Sequence, residues 1–270
     1  MADGDAKPKH KPQHKPKAHF EERATAEMDE NLPAPEWTLR QKLALSARIL
    51  AREEHGSALA GQITHRGDKE GTMWTGRFGL GLDELRARDF LLVDGELNVL
   101  EGDGMANPAN RFHLWTYRAR PDVNCIIHTH PPYCSALAMI GVPLVASHMD
   151  TAMFYEDCAY LETWPGPPIG DEEGDLISAA LGDKNAILLA HHGQMCVSAT
   201  VEETAFRALF IERAARLQLL AMAAGEIKPL PEDAGRHAHD YRLKPQTVNA
   251  TFCYHARLVL ADEAECLEED

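Results

Sequence analysis

The sequence predicts a mixed α/β protein, and two kinds of pattern support that prediction. Short apolar runs such as residues 186–190 have the length of buried strands and are bounded by polar or turn residues. Longer segments place apolar residues every three or four positions and begin at capping residues, as amphipathic helices do. With 270 residues, 44% of them hydrophobic, the chain has enough apolar material for one sizeable domain with tails.

The composition argues against several classes of protein. A net charge of -15 disfavours nucleic acid as the main partner. No apolar run approaches the length of a membrane span, and the lysine- and proline-rich N-terminus lacks the apolar stretch of a secretory signal. The six cysteines are scattered and lie largely among apolar residues, which is typical of reduced thiols. We therefore expect a cytoplasmic protein that neither spans a membrane nor binds nucleic acid.

Changes in composition divide the chain into three parts. Residues 1–36 interleave lysine with proline and hold few apolar residues, so burial would not repay their ordering and a disordered tail is predicted. Residues 37–227 carry the strand and helix patterns of a folded domain. Residues 228–270 begin with prolines and end acidic, and we predict an extension that packs on the domain or on a neighbouring subunit.

Capping residues mark the helices at the two ends of the domain. Thr38 and Gln41 fit a capping box, as do Thr200 and Glu203, and the second box opens the longest apolar stripe, which Gly225 ends. Between these helices, turn residues and apolar runs predict the other elements in order. The first helix is predicted at 38–54. Strands are predicted at 60–66, 73–75, 124–130, 143–148 and 186–190, with a glycine-rich turn at 77–81 and a hairpin at 90–100. Further helices are predicted from 107 to about 120, at 135–140 and at 175–181.

Two histidine motifs follow buried strands. His128 and His130 are two residues apart, so on a strand their side chains project from the same face. His192 lies in a His-His-Gly sequence that follows the apolar run at 186–190, and it can supply a third imidazole. A lone histidine is more often a hydrogen-bonded core or surface residue, but the two motifs together favour a metal site. Three neutral nitrogen donors with an open position make a Lewis-acid site for a divalent metal.

These motifs and their neighbours make the chain from about residue 36 to 220 similar to the class II aldolase/adducin family. The resemblance implies a three-layer α/β/α fold with a central, largely antiparallel sheet, and a catalytic domain over 37–227. It also implies a homotetramer with active sites between subunits, and His128, His130 and His192 as metal ligands. The segments that carry it are Arg111-Phe112-His113, Tyr117–Val123, Ile127–His130, His191–Gly193 and Val201–Ala205.

The departures from the family's sugar-phosphate aldolases concern the substrate pocket. Ala109 stands where those enzymes carry a glutamate that serves as metal ligand and acid/base, and Asn107-Pro108 replaces their phosphate-binding Ser-Ser. Their Gly-Asn-x-Ser loop becomes residues 61–64, and their Pro-Thr-Gly turn becomes Arg77, Phe78 and Gly79. The phosphate cradle is thus largely replaced by an arginine, which suits a carboxylate, and a phenylalanine, which suits a planar ring.

That combination resembles the branch of the family that decarboxylates hydroxylated aromatic acids, including a hydroxypyridine dicarboxylate of vitamin B6 degradation. The resemblance implies a small aromatic carboxylate as substrate, bound by Arg77, Phe78 and Gly79. Mn²⁺ is the expected metal because an oxygen-rich chelating substrate tempers the preference for Zn²⁺, with Zn²⁺ and Fe²⁺ as alternatives. His113 and His148 are the candidate proton donors, although His113 can equally serve in packing or support of a ligand.

Three other functions remain open from the sequence. A class II aldolase acting on a small hydroxy-keto substrate would use the same site, since both reactions place electrons on a metal-bound oxygen. Relatives in antibiotic pathways use the same histidines as non-haem iron oxygenases. Adducin itself is a non-catalytic interaction module of this fold, but such a module has no need for three retained histidines.

Overall fold

A computed structural model of the chain describes residues 14–270, and it falls into two compact units. The first unit ends at Ala34, and the second runs over Pro35–Asp270. The predicted disorder of the first thirteen residues lies outside the described part. The boundary between the units lies within two residues of the position that composition predicts.

The first unit differs from the predicted disordered tail in having a helix, α1 (Lys17–Asn31). Ion pairs between residues four apart support it, Lys17 with Glu21 at 3.7 Å and Arg23 with Glu27 at 2.7 Å. No residue of α1 is buried, in keeping with the scarcity of apolar residues from which disorder was predicted. Charge pairs at this spacing add a small stabilisation to an exposed helix.

The second unit contains the five predicted helices, two further helices between residues 232 and 260 that the sequence did not predict, and a single mixed sheet. Its helices are α2 (Leu39–Arg52), α3 (Arg111–Ala119), α4 (Pro132–Ile140), α5 (Asp171–Leu181), α6 (Val201–Met222), α7 (Glu232–Arg242) and α8 (Pro245–Leu260). Its strands are β1 (Gln62–Arg66), β2 (Met73–Gly76), β3 (Phe90–Val93), β4 (Val99–Glu101), β5 (Cys125–Thr129), β6 (Cys158–Leu161), β7 (Ala186–Leu189) and β8 (Gln194–Ser198). None of the helices in the described residues is long and apolar enough to cross a membrane.

The sheet has the order β4-β3-β2-β1-β5-β8-β7-β6, and every pair is antiparallel except β6–β7. Helices α3 and α5 pack on one face, against side chains such as Ile126 and Met195. Helices α2, α4, α6 and α8 cover the other face, where Ile127 and Phe206 belong to the larger core. The three-layer α/β/α fold with a largely antiparallel sheet is therefore confirmed.

The capping residues act as the sequence predicts, with one difference. Thr38 and Gln41 form the reciprocal capping box at the start of α2. Thr200 accepts a hydrogen bond from the backbone N–H of Glu203, but the Glu203 carboxylate pairs with Arg207 at 3.0 Å instead of returning to the cap. Competition from this buried arginine leaves the second box half formed.

The strand predicted at 143–148 is wrong, and a strand that the sequence did not predict takes its place in the sheet. Residues 143–148 form an irregular segment whose backbone is held by one side chain of α6. The N–H of Val145 donates to Gln218 Oε1 at 2.7 Å, and Gln218 Nε2 donates to the carbonyl of Pro143 at 2.9 Å. These bonds replace strand pairing, and the parallel edge strand is formed by Cys158–Leu161.

The C-terminal extension belongs to the second unit. Helix α8 buries Val248, Phe252 and Ala256, and it contacts both α2 and α6. The last turn of α7 is linked to the core through a charged network centred on Asp157, which precedes β6. Asp157 accepts hydrogen bonds from the guanidinium of Arg207 at 2.7 Å and from the ring of His239 at 3.3 Å.

Breaking that network should destabilise the fold far more than breaking an exposed ion pair. Arg207 and Asp157 are both buried, so Asp157→Asn removes the buried carboxylate and leaves the Arg207 guanidinium with Glu203 as its remaining charged partner, which costs about 3 kcal/mol. Asp122→Asn is the matched control, because Asp122 pairs with Arg120 at 2.7 Å while 63% exposed, and exposed pairs contribute less than about 1 kcal/mol. Urea unfolding measures both free energies. Equal losses in the two variants would contradict the prediction.

Candidate metal centre

The first two histidines of the site are positioned by β5, the central strand between β1 and β8. His128 lies on the α3 side of the sheet, where its ring contacts the edge of Phe112 at a centroid distance of 5.1 Å. His130 directly follows the strand, and its Nε2 lies 2.9 Å from Nε2 of His128. The prediction that the two side chains share a face is confirmed.

The third histidine comes from the turn between β7 and β8. His191 adopts a left-handed conformation, with φ of 56°, and this reverses the chain so that His192 faces β5. Gly193 allows the turn to lie against β5, because a Cβ at this position would be 2.5 Å from the carbonyl oxygen of Thr129 and 2.7 Å from Cδ2 of His130. The glycine of the His-His-Gly sequence is therefore required by close packing at the site.

The three imidazoles converge on one point. Their ring centroids are 4.6 to 4.8 Å apart in every pairing of His128, His130 and His192. One nitrogen of each lies within 4.8 Å of the others, which makes the group able to hold a metal ion. Among the described residues no carboxylate joins this group, and Ala109 is partly buried against the α3 side of the core.

The protonation of the site suits metal binding. Nδ1 of His128 lies 2.8 Å from the carbonyl oxygen of Gln194, and since a carbonyl only accepts, Nδ1 carries the hydrogen and Nε2 presents its lone pair. Burial lowers the pKa of His128 well below its usual value, with the neighbouring histidines adding to the effect. Burial also lowers the pKa of His130, and that of His192 to about 4. All three rings are thus neutral donors at physiological pH, so the residues present fit a divalent metal.

A small cavity of about 20 Å³ lies at the start of β1, the strand that pairs with β5, and the three histidines are not among its lining residues. Gln62 on β1 is the register partner of His128 and therefore shares its face of the sheet. Together with Arg77, Phe78 and Asn107 it lines the cavity. The side-chain oxygen of Gln62 is buried and has no hydrogen-bond partner among the described residues, so it is an acceptor available to a ligand.

Of the predicted substrate-binding residues, Arg77 and Phe78 line this cavity and Gly79 does not. One nitrogen of Arg77 is bound to Asp89 at 2.9 Å, so part of its charge is already compensated. Phe78 is partly exposed at the cavity wall. Gly79 has φ of 103° and open space around its Cβ position, so it is needed for the turn and not for close approach of a neighbour.

The two predicted proton donors have different surroundings, since one is buried and the other is exposed. His113 is completely buried, and its Nδ1 lies 2.8 Å from Oγ1 of Thr64. Burial lowers the pKa of His113 to about 3, and its Nε2 has no partner among the described residues. His148 is exposed and accepts a hydrogen bond from the N–H of Asp150 at 3.1 Å, capping a short 3₁₀ helix. No ring contact or hydrogen bond recorded for residues 14–270 joins His148 to the triad.

Sequence reasoning missed a buried polar network behind the ligand strand. Thr129, between the two ligand positions, points to the opposite face of the sheet. Its hydroxyl lies 2.7 Å from Nδ1 of His55 and accepts a hydrogen bond from the Gln194 side chain at 2.7 Å. All three side chains are fully buried. Because His55 and Thr129 are distant in sequence, no local pattern could have paired them.

The antiparallel sheet and the convergent neutral imidazoles define an α/β/α protein with a candidate metal centre at the end of a central strand. The chain belongs to the class II aldolase and adducin family, since the family model described as "Class II Aldolase and Adducin N-terminal domain" matches residues 41–219.

Several relatives extend the comparison. The chain is 30% identical over 204 residues to the "4-hydroxy-3-prenylphenylpyruvate oxygenase/4-hydroxy-3-prenylbenzoate synthase" of Streptomyces roseochromogenus subsp. oscitans, covering 73% of each. It is also 30% identical to the "Decarboxylase NovR" of Streptomyces niveus, covering 73% of this chain and 75% of that protein. Among solved structures, the L-fuculose 1-phosphate aldolase of Glaciozyma antarctica PI12 superposes with a TM-score of 0.78 at 27% identity, covering 89% of this chain and 99% of the other.

Replacing Gly193 should weaken metal binding specifically. The added Cβ of Gly193→Ala must displace the turn that carries His192, because its nearest neighbours are backbone and a ligand ring. Misplaced support of a ligand costs about 10- to 100-fold in metal affinity. Gly56→Ala is the control, since nothing lies within 4 Å of its Cβ position. Competitive titration with a chromogenic chelator measures both affinities, and an unchanged affinity in Gly193→Ala would contradict the role of close packing.

Proposed function

We propose that the chain is a divalent-metal-dependent carboxy-lyase that acts on a hydroxylated aromatic or pyridine carboxylic acid. The observation that carries this proposal is the convergence of three neutral imidazoles next to Gln62, the register partner of His128, which lines a cavity together with Arg77 and Phe78. An arginine, an aromatic ring and an amide oxygen match a carboxylate, a planar ring and a hydroxyl group. The proposed substrate is 3-hydroxy-2-methylpyridine-4,5-dicarboxylate, and the proposed metal is Mn²⁺.

The names of the relatives support this class of substrate. One is named for 4-hydroxy-3-prenylphenylpyruvate and 4-hydroxy-3-prenylbenzoate, which are hydroxylated aromatic acids, and a second is named a decarboxylase. The absence of a carboxylate from the triad, among residues 14–270, also supports an anionic substrate. With only neutral protein donors, the charge of a bound divalent ion is left to be balanced by the oxygens of the substrate.

The reaction needs no oxidant or reductant. The ring carbon that carries the carboxylate gains a proton, the bond from that carbon to the carboxylate carbon breaks, its electron pair returns to the ring, and carbon dioxide leaves. A bound divalent metal would supply positive charge that stabilises electron density on the substrate's hydroxyl and carboxylate oxygens. Arg77 would bind the second carboxylate through the nitrogens not bonded to Asp89, and Gln62 would accept a hydrogen bond from the substrate.

Of the two candidate proton donors, His148 fits the task better. The enclosed ring of His113 is neutral, and its Nδ1 is held by Thr64, so we assign it to the support of Phe112 and His128. His148 is exposed and can present its imidazole to another molecule. In the proposed homotetramer, with sites between subunits, His148 would serve the triad of a neighbouring subunit.

A direct assay tests the function and its alternatives together. Protein reconstituted with Mn²⁺, Zn²⁺ or Fe²⁺ should release carbon dioxide from 3-hydroxy-2-methylpyridine-4,5-dicarboxylate or a hydroxybenzoate. His128→Ala should lose at least about 100-fold in kcat/KM, because several kcal/mol of charge stabilisation depend on the metal. His65→Ala is the control, since His65 lies on β1 with its side chain on the other face.

The outcomes that favour another function are distinct. Faster cleavage of L-fuculose 1-phosphate would support an aldolase, the activity named for the superposed structure. Oxygen consumption with Fe²⁺ would support an oxygenase, the activity named for one relative. Full activity and metal content in His128→Ala would contradict a metal-dependent reaction of either kind.

Mixed oligomers test the position of His148. His128→Ala and His148→Ala should each be inactive alone, but co-refolding equal amounts should restore roughly one quarter of the sites if the residues act from different subunits. Activity is measured after mixing and compared with each variant alone. No recovery in mixed oligomers, with both variants folded, would contradict action across a subunit boundary.

A further inference from the structure

A second cavity, of about 370 Å³, lies on the side of the sheet away from the triad. It is formed by side chains of α6 together with the C-terminal end of α2, the start of α4 and helix α8. None of the residues that line it lines the cavity at the start of β1. Three arginines, Arg213, Arg216 and Arg242, face it, and nothing in the proposed reaction uses them.

Arg242 has an unmatched hydrogen-bonding edge. Its guanidinium stacks over Phe206 and Phe210, at 5.4 and 4.8 Å from the ring centroids. Nε and Nη2 are buried and have no partner among the described residues. These are the two nitrogens with which Arg120 holds both oxygens of Asp122, at 2.9 and 2.7 Å. In Arg242 the same two nitrogens have no carboxylate partner among the described residues, and burial of unpaired donors is costly.

Two of the acidic residues that line the cavity, Asp150 and Glu212, already accept hydrogen bonds from other groups of the protein. Asp150 accepts a hydrogen bond from Arg213 at 2.8 Å. Glu212 accepts from the backbone N–H groups of Tyr133 and Cys134, both at 2.8 Å, at the start of α4. Arg216 stacks over Tyr133 at 5.3 Å.

The remaining titratable residues that line the cavity are Glu53, Glu54 and His255. Glu53 and Glu54 follow α2, and Glu53 lies 3.7 Å from His255 of α8. Burial lowers the pKa of His255. Arg216 and Arg242 therefore have no carboxylate partner within residues 14–270, and positive charge is concentrated on the α6 and α7 side.

We propose that this cavity is an anion-binding site for a small molecule carrying a carboxylate or phosphate group, and that Arg216 and Arg242, which both line the cavity, provide its positive charge. Oxygen atoms of either group match the planar guanidinium fork. The aromatic rings beneath the two guanidinium groups hold them in orientation, so little side-chain freedom is lost on binding.

Binding measurements with two probes test the proposal and distinguish the sources of the anion. The full-length protein is titrated by calorimetry with inorganic phosphate and, separately, with malonate. We expect saturable binding of at least one probe, weakened as the ionic strength rises from about 0.01 M to about 0.15 M. Arg216→Ala should weaken binding by at least about tenfold. Arg242→Lys keeps the charge but removes the fork, so it should weaken binding in the same way.

Arg257→Ala is the control, because Arg257 is exposed on α8 and does not line the cavity. It should bind the probes as the parent does. Absence of saturable binding below about 10 mM, or unchanged binding in both Arg216→Ala and Arg242→Lys, would overturn the proposal. So would an experimental structure in which an acidic side chain of a second copy occupies the guanidinium pair. The measurements need no turnover, so their outcome does not depend on the proposed decarboxylation.

Discussion

The site depends on the pairing of β5 with β8. In that register the backbone carbonyl of Gln194 meets Nδ1 of His128 at 2.8 Å, which fixes the tautomer of the ring and directs its other nitrogen toward the remaining two histidines. The same pairing brings Gly193 against β5, where a side chain would not fit. A backbone hydrogen bond thus determines both the orientation and the protonation of a candidate ligand.

Side chains on both faces of β5 make contacts that hold this strand in place. On the triad face, His128 packs against Phe112, and on the opposite face Thr129 is bonded to His55 and Gln194. Gln194 contributes to both, through its backbone on one side and its side chain on the other. A ligand pair placed on the middle strand of a sheet and supported from both sides is held more rigidly than one on a loop.

The local charge at each of the two cavities differs from the net charge of the chain. The triad is neutral and lacks a carboxylate within the described residues, so a divalent ion bound there would retain its charge for the substrate. Beyond the opposite face, Arg216 and Arg242 lie on α6 and α7 without carboxylate partners in that part of the chain. Although the chain carries a net charge of -15, we propose anionic ligands for both cavities, because local geometry and not the total charge decides what a cavity binds.

The sequence by itself determined strand β5 and the three histidines that we propose as ligands, although it did not reveal β8, the strand that pairs with β5 beside them. Side-chain alternation on β5, the His-His-Gly turn and the helix caps are local features, and local spacing is enough to predict them. Only the tertiary structure decided the rest. Bonds from Gln218 replaced a strand predicted at 143–148, Asp89 took part of the charge of Arg77, and distant residues brought His55 to Thr129. These contacts join residues that are far apart in the chain, whereas the periodicity of apolar residues in a sequence depends only on residues that are close together in the chain.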